Sequence, residues 1–271
     1  MKKHLYCVIF VSVILIGLSL LLYPTIGNFI NRRNQSKVID GYTQKVAELK
    51  KDRYTDFLTD AHNYNKDTAN RSNPFVPTQK QKESYYGMLN ITGDGMMGYI
   101  EIPSIDCVLP IYHGTEGGTL QRAVGHIDWT SLPVGGKNTH TVLSGHRGLP
   151  SAKLFTNISK LTVGDVFTIK VLDKALTYKV DKILTVKPQD TSALRIVKDE
   201  DLCTLVTCTP YGINTHRLLV RGSRVKDATS SEKLYITSDA IKIEPIAVAP
   251  FLAIPMLIIS AFYLLKPKNK G

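Results

Sequence analysis

The sequence predicts a mainly β protein: a closed β-barrel with short helices, preceded by an N-terminal helical segment and flanked by two transmembrane helices. Short apolar runs separated by Gly and Pro follow one another between residues 98 and 226, a spacing typical of a barrel. Two long uncharged runs lie near the ends of the chain. No internal repeat is present, and no Gly-rich phosphate-binding loop precedes a predicted helix.

The two uncharged runs are each long enough to cross a bilayer. Residues 5–23 and 245–265 contain nineteen and twenty-one residues, and about 20 apolar residues in a helix span a hydrocarbon core of about 30 Å. We expect residues 5–23 to be an uncleaved signal-anchor, because no small-residue cleavage site follows them. The second run contains prolines, which membrane helices tolerate. A buried C-terminal helix is the alternative for it.

Two spans place both ends of the chain, residues 1–4 and 266–271, on one side of the membrane. Lysines at both ends favour the cytoplasmic side, whereas Arg32, Arg33 and Lys37 just past the first run favour the reverse. Charge alone therefore leaves the orientation open.

The formal net charge of +11 suits an anionic membrane or cell surface. No basic patch interleaved with aromatic residues stands out, so we expect no nucleic-acid partner. Cys203 and Cys208 are five residues apart on one predicted strand and therefore point to opposite faces. This geometry disfavours a disulfide between them and also a zinc site, which needs converging ligands. We expect no metal and no cofactor.

The segments on either side of the barrel have different characters. Residues 24–62 are predicted to be a juxtamembrane helical segment, because apolar residues recur at helical spacing; a plain spacer is the alternative. Residues 63–81 are rich in Asn, Ser and Pro and are predicted to be loop. Residues 63–97 as a whole form the lead-in to the barrel of residues 98–226. Residues 227–244 are a linker to the second span.

Within the barrel, residues 120–124 are predicted to form a short helical turn, and residues 188–197 a loop that crosses one edge of the barrel. The predicted strands are residues 98–102, 105–112, 140–146, 165–172, 176–186, 202–208 and 217–221.

The last two predicted strands form a hairpin that joins two reactive groups. Turn-forming residues around Gly212 predict a loop of about four residues between them. Cys208 then lies opposite Arg217, and directly opposed residues share a face with Cβ atoms roughly 5 Å apart. A fixed cation beside a thiol favours the nucleophilic thiolate. A buried, inert core thiol is the ordinary interpretation of a lone cysteine in an apolar strand.

This hairpin resembles the signature of the sortase family. Residues 204–208 (Thr-Leu-Val-Thr-Cys) are similar to the family's Thr-Leu-any-Thr-Cys motif, and Arg217 stands at the place of its arginine. Residues 207–222 resemble the pilus-building class C sortases, and residues 143–150 resemble the strand that carries the catalytic histidine, here His146. The resemblance covers about residues 98–224 and predicts a sortase-like barrel.

The resemblance implies a cysteine transpeptidase on the outer face of the cell membrane, which decides the orientation. Cys208 would attack a peptide carbonyl to form a thioacyl-enzyme, His146 would act as general acid and base, and Arg217 would stabilise the oxyanion or hold substrate carbonyls. It further implies cleavage of a Leu-Pro-any-Thr-Gly-like sorting signal between Thr and Gly. The acyl group would pass to a lysine amine of a pilin, and pilins and the lipid bilayer would be the partners.

His126 is the alternative to His146 as the base, because the sequence around it also resembles a class C stretch. Trp129 stands where a smaller residue is expected, so the sequence does not determine the local shape of the pocket. We expect Thr207 and His126 to lie in or near the substrate pocket.

Asn73, Pro74 and Phe75 resemble the class C lid, which has Asp-Pro followed by an aromatic residue. In that family the acid pairs with the catalytic arginine and the aromatic ring covers the cysteine. Asn73 brings no charge, so we expect this contact to be weaker by roughly 1 kcal/mol and the lid to be looser. An exposed turn with one anchoring Phe is the alternative, because Asn-Pro is common in turns.

Three other functions stay open at this point. The same chemistry with a cell-wall peptide amine as acceptor would anchor surface proteins singly. Transfer of the acyl group to water would make the protein a hydrolytic cysteine peptidase. A non-catalytic, membrane-anchored binding barrel belongs to another class altogether.

Overall fold

The computed structural model describes residues 2–71, 77–149 and 152–225. The predicted linker of residues 227–244, the second predicted span of residues 245–265 and the tail of residues 266–271 lie outside these ranges. The three predicted lid residues, Asn73, Pro74 and Phe75, lie outside them too.

The chain begins with a single long helix, α1, from Lys2–Ala47. Within the described residues, Ile9–Ala47 is the one helix long and apolar enough to cross a membrane, and it contains most of the predicted signal-anchor. Its large apolar side chains are exposed as far as Phe29 and Ile30, whereas Ile39 and Tyr42 farther along are buried. The helix thus changes from a lipid-compatible surface to a protein-packed surface without a break.

Tyr42 fastens α1 to the barrel wall. Its hydroxyl donates a hydrogen bond to the carbonyl of Met97 at 2.9 Å and accepts one from the backbone N–H of Leu172 at 2.8 Å. Burial raises the pKa of this hydroxyl above its ordinary value, so it stays protonated and can serve as donor and acceptor together.

The second helix, α2 (Lys51–Ala69), extends beyond the predicted helical segment. The prediction of loop for residues 63–81 is wrong at both ends, because residues 63–69 belong to α2 and α3 occupies Gln79–Gly87. Asn65 shows the reason: its side-chain amide donates to the carbonyl of Leu132 at 3.0 Å and accepts from the N–H of Leu132 at 2.6 Å. These tertiary bonds satisfy a buried polar residue that local sequence rules assign to loops.

The barrel is closed, and this confirms the predicted mainly β fold. Strand order around it is β1-β2-β3-β4-β7-β8-β6-β5. Its interior is filled by apolar side chains that include Ile100, Phe167, Tyr178 and Leu205. In the described residues the strands are β1 (Met96–Ile102), β2 (Cys107–His113), β3 (Val124–His126), β4 (Thr139–Ser144), β5 (Val166–Val171), β6 (Lys174–Val186), β7 (Asp201–Thr209) and β8 (His216–Arg224).

Each of the seven predicted strands matches an observed strand to within three residues at either end. The sequence did not reveal β3, because three residues are too few to show an alternating pattern. The helical turn predicted for residues 120–124 is wrong in position: the short helix α4 lies at Gly117–Leu120, and Val124 already pairs with Ile111 in the sheet. The crossing loop predicted for residues 188–197 contains the 3-10 helix Ser192–Leu194.

The directions of the strands define two ends of the barrel. Two neighbouring pairs are parallel, β2 with β3 and β4 with β7, and the other neighbours are antiparallel. The last residues of β1, β4, β6 and β7 and the first residues of β2, β3, β5 and β8 therefore lie at the same end. We call this the upper end, and the opposite one the lower end.

Buried histidines hold elements of the barrel together. His140 on β4 has its Nδ1 2.8 Å from the carbonyl oxygen of Arg195 and its Nε2 2.7 Å from the hydroxyl of Thr204. Burial lowers the pKa of His140 to about 4 and that of His126 to about 3, so both rings are neutral at pH 7.

We predict that the free energy of unfolding falls as the pH is lowered from about 6.5 towards 4. The unfolded chain takes up a proton on each of these histidines below its ordinary pKa of about 6.5, whereas the folded chain does so only near its lowered pKa. Each histidine then contributes up to about 1.4 kcal/mol per pH unit in this window.

The contribution of His140 is measured by urea unfolding of wild type and His140→Gln in detergent at several pH values, followed by the fluorescence of Trp129, the one tryptophan of the chain. The slope of stability against pH should be shallower in His140→Gln by about the contribution of one proton. Thr177→Val, which removes a buried hydroxyl and no titrating group, is the control and should keep the wild-type slope. Equal slopes in wild type and His140→Gln would contradict the prediction.

Candidate active site

Cys208 and Arg217 face each other across the β7–β8 hairpin, as the sequence predicts. The strand register pairs Cys208 with Arg217 and Thr209 with His216. The loop between the strands is longer than the predicted four residues, because it covers residues 210–215. Since side chains alternate along a strand, His216 points away from the face that carries Cys208 and Arg217. Cys208 and Arg217 are both partly exposed.

His146 is brought to the same level by the parallel pairing of β4 with β7. The last paired residues are Ser144 and Val206. Beyond them the N–H of Gly145 donates to the carbonyl of Val206 at 3.0 Å, so the two chains stay side by side after β4 ends. Continuing this register by two residues places His146 beside Cys208. His146, Cys208 and Arg217 therefore lie on three adjacent chain segments at the upper end of the barrel.

Gly145 allows the chain before His146 to pass close to the 3-10 helix Leu154–Lys160, which lies across the upper end of the barrel. A Cβ atom at Gly145 would be 2.7 Å from the ring of Phe155, which is itself fully buried. The N–H of Phe155 donates to the carbonyl of His146 at 3.1 Å. The backbone of His146 is thus held from both sides.

Thr207 helps to position the site but does not line a pocket. Its side chain is buried, and its hydroxyl donates to the carbonyl of Gly145 at 2.7 Å. Thr207 is predicted to lie in or near the substrate pocket; in the structure it adjoins Cys208, and its buried side chain points to the neighbouring strand segment. It links the residue before Cys208 to the residue before His146.

His126 does not belong to the site. It pairs with Leu143 in the sheet and is fully buried, with its Nδ1 3.0 Å from the hydroxyl of Tyr85 and its Nε2 2.8 Å from the carbonyl oxygen of Ser131. The structure thus does not bring the ring of His126, the predicted pocket residue and alternative base, to the partly exposed face that carries Cys208 and Arg217. A tyrosine on α3, 41 residues away in the sequence, supplies the contact that fixes this ring.

Arg217 is held by carbonyl groups of its own hairpin. Its Nη1 donates to the carbonyls of Asn214 and His216 at 3.2 and 3.1 Å. Both bonds come from one nitrogen, whereas a guanidinium carries N–H donors on three. The group is therefore fixed in direction and retains donor capacity for a carbonyl or an oxyanion beside Cys208.

Arg147 is a residue of the site that the sequence did not single out. Its guanidinium donates to the hydroxyls of Thr209 and Ser159 at 3.3 and 3.2 Å and lies 5.9 Å from the centre of the Tyr211 ring. It thereby connects the segment after His146, the end of β7 and the hairpin loop. The only signal in the sequence is its position directly after the histidine.

The other two described thiols differ from Cys208 in their surroundings. Cys107 and Cys203 are buried, and burial raises the pKa of the Cys107 thiol to about 12 and that of Cys203 well above its ordinary value. Both stay protonated and unreactive at neutral pH. Among the residues that the structure describes, no group of three or more His, Cys, Asp or Glu side chains is arranged to hold a metal ion.

Comparison with known proteins adds family relationships to this geometry. A family model described as the sortase domain matches residues 100–225. Sortase C1 from Streptococcus agalactiae is 47% identical, with 70% of this chain and 99% of that chain covered and a TM-score of 0.69. Sortase C from Clostridium perfringens, solved with the C-terminal cell wall sorting motif, is 43% identical, with 71% and 100% covered and a TM-score of 0.62.

A curated relative matches over a shorter stretch. Sortase D from Bacillus subtilis is 32% identical over 131 residues, which are 47% of this chain and 63% of that protein. The chain thus spans less than two thirds of the length of that relative.

We predict that Gly145→Ala lowers the free energy of unfolding by roughly 1–3 kcal/mol, because the new methyl group overpacks against Phe155. Gly117→Ala is the matched control: a Cβ atom there meets nothing within 4 Å, so this change should cost no stability. Both values come from urea unfolding of the full chain in detergent. Phe155→Leu combined with Gly145→Ala should recover part of the loss, and equal stabilities of the two alanine variants would contradict the packing argument.

Proposed function

The chain belongs to the sortase family, whose members are cysteine transpeptidases, and on that premise we propose that it polymerises pilins. It would cleave a Leu-Pro-any-Thr-Gly-like sorting signal between Thr and Gly and transfer the acyl group to a pilin lysine. The observation that carries this proposal is the alignment of His146, Cys208 and Arg217 on adjacent segments. Solved class C sortases at 40–47% identity support the choice of pilin as acceptor.

The first half of the proposed reaction forms a thioester. The thiolate of Cys208 attacks the carbonyl carbon of Thr in the sorting signal, and the negative charge that develops on the carbonyl oxygen is stabilised by N–H donors of Arg217. When the tetrahedral intermediate collapses, the bond between this carbon and the nitrogen of Gly breaks. Protonated His146 gives its proton to the leaving amine, which departs neutral.

The second half transfers the acyl group to an amine. The neutral Nζ of a lysine attacks the thioester carbon, and neutral His146 accepts the proton that the nitrogen loses. The carbon–sulfur bond breaks, an isopeptide bond forms and the thiolate of Cys208 is restored. One group serves as acid and then as base, so His146 must reach both amines from one place. Its backbone, bonded through Phe155, fits that requirement.

The proposed location is the outer face of the cell membrane. The apolar N-terminal helix fits a membrane anchor. We propose that residues 245–265 form a second span, which places both ends of the chain in the cytoplasm and the barrel outside. The support for this two-pass arrangement is the length and uncharged character of residues 245–265 in the sequence.

We predict that incubation with an internally quenched Leu-Pro-any-Thr-Gly peptide gives a thioacyl adduct on Cys208, detected by mass spectrometry of the full chain. Adding a lysine-bearing pilin fragment should discharge the adduct into an isopeptide-linked product. Cys208→Ala should give no adduct, whereas Cys203→Ala, which removes a buried thiol of the same strand, should keep it. Arg217→Lys should slow adduct formation by about 10²-fold, because the fixed fork of donors is lost.

The same assay separates the alternatives. Discharge only to a cell-wall peptide amine would indicate anchoring of single proteins, and discharge only to water would indicate a hydrolytic peptidase. No adduct, together with full function of Cys208→Ala in cells, would indicate a binding barrel.

We further propose that residues 72–76, between the end of α2 and the start of α3, form a lid over Cys208 that is looser than an aspartate-bearing lid. The support is the resemblance of Asn73, Pro74 and Phe75 to the class C lid tripeptide. We predict that Asn73→Asp slows alkylation of Cys208 by iodoacetamide about fivefold, the factor that corresponds to about 1 kcal/mol from a charge-assisted contact with Arg217.

Deletion of residues 72–76 should accelerate the same alkylation. Asn70→Asp is the matched control, because it adds the same charge at the exposed end of α2 and should leave the rate unchanged. Unchanged rates of alkylation and peptide cleavage after the deletion would refute the lid.

A further inference from the structure

We propose that the upper end of the barrel, which carries the active site, faces the bilayer and contacts its surface. This inference rests on the proposed membrane anchor and adds an interaction surface to the proposed function: the partner of the upper end is the lipid surface itself. Cys208 would then work beside the membrane, and a peptide would enter between the barrel and the bilayer.

The contacts of α1 show which end of the barrel is nearer to the membrane. Arg32 forms an ion pair with Asp106 at 2.6 Å, in the turn between β1 and β2 at the upper end. Ten residues farther along α1, Tyr42 bonds to Leu172, which follows β5 at the lower end. Lys45 donates to the carbonyl of Thr92, before β1 at the same lower end. The helix therefore leaves the apolar stretch, meets the upper end first and then descends along the wall.

The height of the upper end above the bilayer follows from helix geometry. Ile30 is the last exposed large apolar residue on α1, and Arg32 comes two residues later. A helix rises about 1.5 Å per residue, so the turn at Asp106 lies only about 3 Å farther along the axis than the end of the apolar surface. The exposed apolar surface of α1 thus continues past the predicted span of residues 5–23 as far as Ile30, and the end of the barrel that holds Cys208 lies next to it.

The surface of the upper end has the apolar side chains that such a position calls for. Val108 at the start of β2 is 48% exposed, Val163 before β5 is 65% exposed, and Tyr211 and Ile213 in the β7–β8 loop are 59% and 69% exposed. Elsewhere in the described part of the barrel and its α2 and α3 helices, the exposed large apolar residues are Tyr86 and Val197. Aromatic and aliphatic tips of this kind insert into the headgroup region of a bilayer.

The charges at this end are compatible with an anionic surface. Lys160 in the 3-10 helix and Lys187 after β6 are exposed. Three carboxylates nearby have local partners: Asp106 pairs with Arg32, Asp165 accepts from Thr162, and Asp190 accepts from Ser192. Glu101, opposite Val108, is half-buried. Exposed lysines beside exposed apolar tips favour contact with anionic lipid headgroups.

The test places single tryptophans at both ends of the full chain, in a Trp129→Phe background, reconstituted in phosphatidylcholine–phosphatidylglycerol vesicles with or without spin-labelled lipid. Ile213→Trp and Val163→Trp report on the upper end, and Val197→Trp, at an exposed position before the start of β7 at the lower end, is the matched control. Leu15→Trp reports on the membrane helix. The two upper-end variants guard against the failure of either one to fold.

We expect the lipid quencher to reduce the fluorescence of Ile213→Trp and Val163→Trp at least about twofold more than that of Val197→Trp, because an inserted tip lies about 5–10 Å deep. Quenching of Leu15→Trp alone would overturn the orientation and leave the anchor standing. No quenching of Leu15→Trp would overturn the anchor and the orientation with it. Since quenching needs no turnover, neither result bears on whether Cys208 forms the acyl adduct.

Discussion

The parallel pairing of β4 with β7 is the constraint on which the candidate active site depends. It carries His146 and Cys208 to the same level, although the bonded neighbours Gly145 and Thr207 are 62 residues apart in the sequence. Parallel strands need a long crossover, and here the intervening chain supplies β5, β6 and the loops that close the barrel. The same strand pair therefore closes the barrel and aligns His146 with Cys208.

Two kinds of contact near Cys208 differ in the sequence separation and the structural elements that they involve. The pairing of Cys208 with Arg217 is local, because a single hairpin fixes it. The positions of His146 and Arg147 depend on the 3-10 helix Leu154–Lys160, through Phe155 and Ser159. The first contact follows from strand alternation and a turn, whereas the second requires the packed upper end of the barrel.

This difference in reach explains what could be predicted from the sequence. The hairpin register and most strands followed from local patterns, and the motif around His146 identified its strand. The burial of His126 could not be predicted, because Tyr85 reaches it from a separate helix. The helical state of residues 63–69 was equally hidden, since Asn65 is stabilised by a backbone group of Leu132 that is distant in the sequence. Tertiary contacts overrode local preference in both cases.

The unbroken course of α1 has a consequence for how the protein finds what it acts on. Its proline, Pro24, lies within the apolar stretch, and from there the helix runs to Ala47 without interruption. A barrel joined to its membrane helix by a flexible linker would tilt freely and reach partners at many heights above the membrane. A barrel packed against a continuous rigid helix keeps a fixed height and meets partners mainly by lateral diffusion in the plane of the membrane. Its encounters are then a two-dimensional search among molecules at the same height. Molecules confined to that thin layer would have a large kinetic advantage over identical ones diffusing freely.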